Sequence, residues 1–240
     1  RTGWRGEMRY GVLNDVRVLD KQKYPLMIER FAALALAKNT ALPETLPYPK
    51  LSIDDGERQQ ALQKYALNLQ KSVLALCPGA EFGPAKRWPE QHYAAVASAR
   101  IETGEQVWIF GSHNDAAVAE AIRAALPENQ QENCINLAGK TTLAEAIDLL
   151  SCASAVVSND SGLMHIAAAL QRPLVAVYGS SSPQFTPPLS RDVEIVRLGI
   201  ACSPCFQREC PLGHLQCLKD LPPKQVLTAL DKLPRPVVMT

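Results

Sequence analysis

The stretch from Ala155 to Tyr178, AVVSNDSGLMHIAAALQRPLVAVY, limits the fold more than any other part of this chain. An apolar run, Ala155-Val156-Val157, meets a polar knot, Ser158-Asn159-Asp160-Ser161-Gly162. Apolar residues then recur at helical spacing, at Leu163, Ile166, Ala167 and Leu170. After Arg172-Pro173 a second apolar run follows, Leu174 to Tyr178, and stops at Gly179-Ser180. Strand, sharp turn, helix and strand in this order make a βαβ unit. Its turn lies at the carboxyl edge of the sheet, where open α/β folds bind ligands. Ser161 and Gly162 stand where the helix starts, so backbone N–H groups there have no helical acceptor. They form an anion seat, for which phosphate is the usual occupant.

The same alternation begins at Val73. Val73 to Cys77 reads as a buried strand, and after the loop PGAEFGPAKRWP a helix runs from Pro89 to about Ile101. Gln106–Phe110 is the next strand, Ala116–Leu126 a helix, Cys134–Leu137 a short strand and Leu143–Cys152 a helix capped by Thr141 or Thr142. A weaker strand, Val193–Leu198, and a last helix, Gln225–Leu233, follow the central unit. Such regularity predicts an α/β fold: a doubly wound, Rossmann-like parallel sheet covered on both faces. Upstream, Pro25–Lys38 reads as a helix with proline at its start, and Asp54 or Asp55 caps another that runs to about Leu67. Between them, Pro43, Pro47 and Pro49 mark a linker. The expected division is residues 1–44, the tail of another domain with its linker, and 45–240, the Rossmann-like domain.

The 240 residues carry a net charge of +1, which provides no basic field for nucleic acid or acidic lipid. Apolar runs fall short of the ~20 residues of a membrane span. Scattered cysteines in an enzyme-like composition favour a reducing, cytoplasmic setting. Three of the seven, Cys77, Cys134 and Cys152, read as small core residues. The other four, Cys202, Cys205, Cys210 and Cys217, share one polar loop with His214. Free or redox-variable thiols are the leading reading of that loop. A tetrahedral zinc site is the weaker alternative, because the spacing is irregular beside paired CxxC knuckles, and disulfides come last on compartment grounds.

Strand polarity alone brings three loops to the carboxyl edge: Gly79–Pro89, Gly111–Asp115 and Asn159–His165. Their contents suit a nucleoside diphosphate. Gly79 and Gly83 permit close backbone approach, and Lys86 and Arg87 supply positive charge. Ser161 and Gly162 offer N–H donors, and the Asp115 carboxylate can accept from both ribose hydroxyls. Each has a plainer rival. Lys86 and Arg87 could be a solvated loop face, Asp115 a helix N-cap, and His165 a satisfied core histidine. Trp88 reads as packing. Neither GxGxxG nor GxxxxGK[ST] is present, so the common dinucleotide and P-loop readings lose.

Together, PGAEFGPAKRWP, FGSHND and SNDSGLMHIAAALQRPLVAVYGSSSPQFTPP strongly resemble the ADP-heptose:lipopolysaccharide heptosyltransferases, the type II members most, and RTGWRGEMRYGVLNDVR is similar to them too. The resemblance spans nearly the whole chain. It implies the GT-B architecture of two Rossmann-like domains, with this chain holding the C-terminal, donor-binding one and a tail of the N-terminal one. It implies inverting transfer of heptose from ADP-L-glycero-β-D-manno-heptose to the inner core of lipopolysaccharide, as the second heptose. By resemblance, Lys86 contacts the diphosphate, Asp115 the ribose, Ser161 and Gly162 the phosphates, and Asp160 and His165 the heptose or its phosphate.

Lys86, Arg87 and the helix start after Ser161 would neutralise the departing ADP, with neither cofactor nor metal required. Glu81 and Phe82 depart from the pattern, since some relatives carry phosphate-binding hydroxyls near that place. The family's general base, an Asp in an N-terminal Gly-Asp segment, has no counterpart here. The resemblance therefore implies roughly another hundred residues ahead of Arg1, and ADP binding without heptosyl transfer by this chain alone. Expected partners are the ADP-heptose donor and the lipid-linked core acceptor, with peripheral contact at the cytoplasmic face of the inner membrane and no nucleic acid. The runners-up are another GT-B nucleotide-sugar enzyme, such as an epimerase or hexosyltransferase, and a zinc-bearing binding module. Donor competition and zinc content separate them.

Overall fold

The computed structural model describes residues 1–6 and 8–234. They fall into two compact units: Arg1–Tyr48 with Ser182–Pro187, and Pro49–Ser181 with the chain from Pro188 onward. In the first unit, β1 (Thr2–Trp4) and β2 (Asp15–Arg17) pair in parallel. Strands of three residues are too short for a hydrophobic alternation to be legible, and the sequence reading missed both. Arg17 ties them to the helix α1 (Met27–Ala35). It donates to Asp15 Oδ2 from Nε and Nη2 at 2.9 and 2.7 Å, and to the Ala33 carbonyl from Nη1 at 2.6 Å. The helix is shorter than the expected Pro25–Lys38. Leu36 already has extended backbone, and Asn39 closes the following turn at φ 67°.

The second unit opens with α2 (Asp55–Lys64), whose first turn donates to the Asp54 carboxylate from Gly56 and Glu57 N–H. It ends before Leu67 because Ala66 is left-handed, with φ 50°, and Leu67 N–H returns to the Leu62 carbonyl at 2.9 Å. The alternation then runs β3 (Val73–Cys77), α3 (Glu90–Glu102), β4 (Gln106–Ile109), α4 (Ala116–Ala124), β5 (Cys134–Asn136), α5 (Leu143–Leu150), β6 (Ala155–Asn159), α6 (Gly162–Ala169), β7 (Leu174–Val177) and β8 (Val193–Val196). A short helix, α7 (Gln216–Lys219), and α8 (Pro223–Lys232) complete it. The sequence reading did not anticipate α7, which is only one turn long.

All strand pairs in the main sheet are parallel, and the order is β5-β4-β3-β6-β7-β8. Alternation within strands divides the core. Leu74 and Leu76 join α3, α4 and α8 on one face, while Val73, Ala75 and Cys77 join α2, α5 and α6 on the other. This is the doubly wound α/β sheet expected from the chain. The strand order reverses between β3 and β6, so their carboxyl ends flank the topological switch point, where such sheets leave a crevice.

Candidate donor-binding site

The loop after β3 and the turn after β6 therefore face each other, with the loop after β4 alongside. A buried asparagine locks the first two together. Asn159 is 0% exposed at the end of β6. Its Nδ2 donates to the Pro78 carbonyl at 2.6 Å, while its Oδ1 accepts from Trp88 N–H at 3.2 Å and from Tyr93 OH at 3.0 Å. One side chain thus holds both ends of the Gly79–Pro89 loop. Trp88 packs as expected: it is buried, and its indole Nε1 donates to the Leu221 carbonyl at 3.0 Å.

The charged residues of these loops are paired across the switch point. Lys86 Nζ donates to Asp160 Oδ2 at 2.6 Å, and Asp160 is 6% exposed. A short 3-10 turn over Pro84–Lys86 presents the lysine. Arg87 Nη2 stands 3.8 Å from Asp115 Oδ1, while its buried Nε has no hydrogen-bond partner. Neither cation belongs to a merely solvated loop face: both are aimed at carboxylates of the site, and Arg87 keeps a donor to spare.

Asp115 is 7% exposed and does not cap α4 with its side chain. Instead its Oδ2 reaches back to accept from Ser112 N–H at 2.9 Å and Ser112 Oγ at 2.7 Å, which closes the 3-10 turn His113–Asp115. Asp115 thus stands at the N-cap position of α4 without a side-chain cap bond to that helix. Two glycines make room for the carboxyl group. A Cβ on Gly79 would stand 2.5 Å from Asp115 Oδ2, and one on Gly111 would stand 2.7 Å from Asp115 Cβ.

At the start of α6, Ser161 makes no side-chain cap bond, and its Oγ instead lies 3.2 Å from Ser158 Oγ. Gly162 is exposed, with nothing within 4 Å of where a Cβ would be. The helix start is open, and its backbone N–H groups are the ones expected from the sequence to seat an anion. His165, one turn on, is exposed, so the core-histidine alternative is overturned. The protein mass around the ring lowers its pKa from the ordinary 6.5, Lys86 adds to that, and Asp160 opposes it. Burial penalises a charged imidazole, and a neighbouring carboxylate favours one.

Beside this charged strip lies a cleft of about 440 Å³, walled by Asp115, Ser161, Gly162, Leu143, Leu163 and Ile166, among others. The structure brings Asp115, Ser161 and Gly162 around the cleft. Arg87 pairs with Asp115 of the cleft wall, and the Lys86–Asp160 pair stands outside the residues that line it. The apolar wall is what sequence reasoning missed. Leu143 is 64% exposed at the first turn of α5 and lines the cleft. The sequence showed the Thr142 cap of that helix but no sign that the next residue faces a cleft.

Cys202, Cys205, Cys210 and Cys217 line one small cavity with His214, and all are free thiols. Among the described residues, no three His, Cys, Asp or Glu side chains stand in a metal-holding arrangement. The core cysteines are chemically quiet: burial pushes the thiols of Cys77 and Cys152 up, and that of Cys134 to about 12. Among the described residues, no helix is long and apolar enough to cross a membrane.

A sequence model of the family described as glycosyltransferase family 9 (heptosyltransferase) matches residues 1–216. The chain is 50% identical over 238 residues to lipopolysaccharide heptosyltransferase 2 of Escherichia coli K12, covering 97% of this chain and 68% of that protein. It is 47% identical over 244 residues to lipooligosaccharide heptosyltransferase 2 of Haemophilus influenzae, covering 97% of this chain and 69% of that protein. Among solved structures, E. coli ADP-heptose lps heptosyltransferase II superposes with a TM-score of 0.87 at 50% identity, covering 96% of this chain and 68% of that one.

Proposed function

The chain belongs to glycosyltransferase family 9, the heptosyltransferases, and on that premise we propose that its second unit holds ADP-L-glycero-β-D-manno-heptose while the heptose passes to the inner core of lipopolysaccharide as the second heptose. The observation that supports this most is the juxtaposition at the switch point. An apolar cleft suited to a flat ring adjoins a carboxylate, a bare helix start and two cations.

In this reading adenine lies against Leu143, Leu163 and Ile166, and Asp115 accepts from the ribose hydroxyls with the oxygen that Ser112 leaves free. The diphosphate sits over Gly162, with Lys86 and Arg87 as counter-charges. Asp160, relieved of Lys86, and His165 face the heptose end. Attack of the acceptor hydroxyl on the anomeric carbon breaks the bond to the β-phosphate. The charge that grows on the departing ADP is met by Lys86, Arg87 and the positive end of α6. The base that takes the acceptor proton is assigned to none of the described residues. We place the reaction in the cytoplasm, at the inner face of the membrane that carries the lipid-linked acceptor. The free thiols agree with that compartment.

Crystals grown with ADP-heptose test the assignment. Adenine density between Leu143 and Ile166, with phosphate oxygens over Gly162, is expected. Nucleotide density away from the β3–β6 crevice, or none at saturating donor, would contradict it.

A further inference from the structure

Family chemistry leaves the cysteine-rich loop between β8 and α7 without a task. The loop is nevertheless built into the site. Ser203 Oγ donates to the Gly179 carbonyl at 2.6 Å, and Phe206 N–H donates to the Ser180 carbonyl at 2.7 Å, so the loop is fixed to the chain leaving β7. Leu215 N–H closes its far side on Cys210 Sγ at 3.4 Å. Between Cys205 and Cys210 it presents Arg208 to the loop that carries Lys86.

Arg208 makes four contacts there. Its Nε donates to the Phe82 carbonyl at 2.7 Å. Its own carbonyl accepts from Ala85 N–H at 3.0 Å, one residue before Lys86. Its guanidinium lies 5.5 Å from the centre of the Phe82 ring, and Lys86 Nζ lies 5.0 Å from the same ring. Finally, the Arg208 carbonyl fills the space beside Gly83, where a Cβ would collide with the carbonyl oxygen. The Phe82 ring, exposed and shared by two cations, is explained by this arrangement and by nothing in its own burial.

We propose that Arg208 is a positioning residue for Lys86: the cysteine-rich loop uses it to clamp the Phe82–Lys86 segment so that the lysine stays aimed at the donor diphosphate. The inference rests on the reading of Lys86 as a diphosphate contact. The clamp itself is independent of that reading. Without the Arg208 side chain, the segment loses its bond at the Phe82 carbonyl and the cover over the Phe82 ring, and is left with the main-chain bond from Ala85 N–H to residue 208, its short-range turn bonds and the Lys86–Asp160 pair.

Amide hydrogen exchange on the full chain reads the clamp directly. Arg208→Ala and, separately, Gly83→Ala should speed exchange at Ala85, Lys86 and Arg87 while the strands of the main sheet exchange as before. Unchanged exchange at those three amides in both variants would overturn the proposal. ADP titration reads the consequence. Arg208→Ala should weaken ADP about threefold to fivefold, the size of one exposed cation–π contact. Arg208→Lys should recover at least half of that loss. In a Lys86→Ala background, Arg208→Ala should cost nothing further. Equal losses in both backgrounds would show that Arg208 acts apart from Lys86 and overturn the inference. Lys86→Ala without any effect on ADP, but with the exchange response intact, would instead refute the donor-site reading and leave the clamp standing.

Discussion

Lys86 Nζ and Asp160 Oδ2 lie 2.6 Å apart with both side chains largely buried, one from the loop after β3 and one from the turn after β6. The pair spans the point where strand order reverses, so it occupies the place that such folds give to ligands. An anion that enters there competes with Asp160 for the lysine. Lys86→Ala should therefore weaken ADP about tenfold, as expected for loss of one charge-assisted contact. Asp160→Asn should hold ADP affinity at or above that of the parent, because Lys86 loses its competitor. The same variant should lose the preference for ADP-heptose over ADP, because a carboxylate accepts from sugar hydroxyls at every position and an amide does not. Calorimetric titration of both ligands checks the two outcomes.

His165 carries a pH dependence of definite sign. Its pKa lies below the ordinary 6.5 in the free protein, chiefly because the protein around the exposed ring displaces part of its solvent. A bound diphosphate adds negative charge nearby and raises it, so binding takes up protons. The ADP affinity of the parent, taken relative to that of His165→Gln, should rise as pH falls through 6.5 toward the free-protein value. Titration in buffers of different ionisation enthalpy measures the uptake. A ratio that stays flat with pH would remove His165 from the site.

Asn159 is the scaffold of the site and is fully buried. Asn159→Ala strands the Pro78 carbonyl and the Trp88 N–H, leaves the Tyr93 hydroxyl only its longer bond to the Cys77 carbonyl, and should cost about 3 kcal/mol, on the order of one or two unsatisfied buried groups. Denaturant unfolding gives the figure. A loss under about 0.5 kcal/mol, the scale of an ordinary surface substitution, would show that water replaces the side chain there.

Much of this was legible beforehand, and the boundary is physical. The buried strands and their helices announced themselves by apolar runs and period, because a parallel sheet covered on two faces leaves few other patterns. Lys86, Asp115, Asp160 and Ser161 could be brought to one edge by strand polarity alone. What could not be read was partnership. Nothing in the string says that Asp160 holds Lys86, that Asn159 bonds to residues some 70 to 80 positions earlier, or that Arg208 reaches Phe82. Such contacts depend on distance in the fold, not on spacing in the chain. Leu143 was hidden for a similar reason: a helix face becomes a cleft wall only when another element stands opposite. The end of α2 was misjudged because Ala66, a non-glycine residue, took a left-handed turn that propensity does not favour, and that of α1 because Leu36 turns extended.

Glu145 supports the far side of the cleft. It accepts from Lys64 Nζ at 2.5 Å, Tyr65 OH at 2.8 Å and Thr142 N–H at 2.8 Å, and so joins α5 to α2. The Lys64 contact, with Thr142 and Tyr65, lowers its pKa from 4.5 to about 2. A carboxyl depressed in the folded state contributes stability above its unfolded pKa and loses it as pH falls through the folded one. Glu145→Gln should therefore lower Tm at neutral pH, and the gap to the parent should close between pH 4.5 and about 2. Thermal unfolding across that window checks it. A gap that persists unchanged at pH 2 would mean that the carboxyl's charge is not what joins the helices.

The central claim, that the β3–β6 crevice is built for the ADP end of a sugar nucleotide, is met most directly by titrating the chain with ADP, AMP and UDP in parallel. The expected result is one ADP per chain, with AMP weaker for want of the second phosphate and UDP weaker because a pyrimidine leaves the Leu143–Ile166 wall half covered. Loss of ADP binding in Leu143→Asp would tie the heat to that wall. Equal affinity for UDP and ADP, or binding that survives both Leu143→Asp and Lys86→Ala, would contradict it.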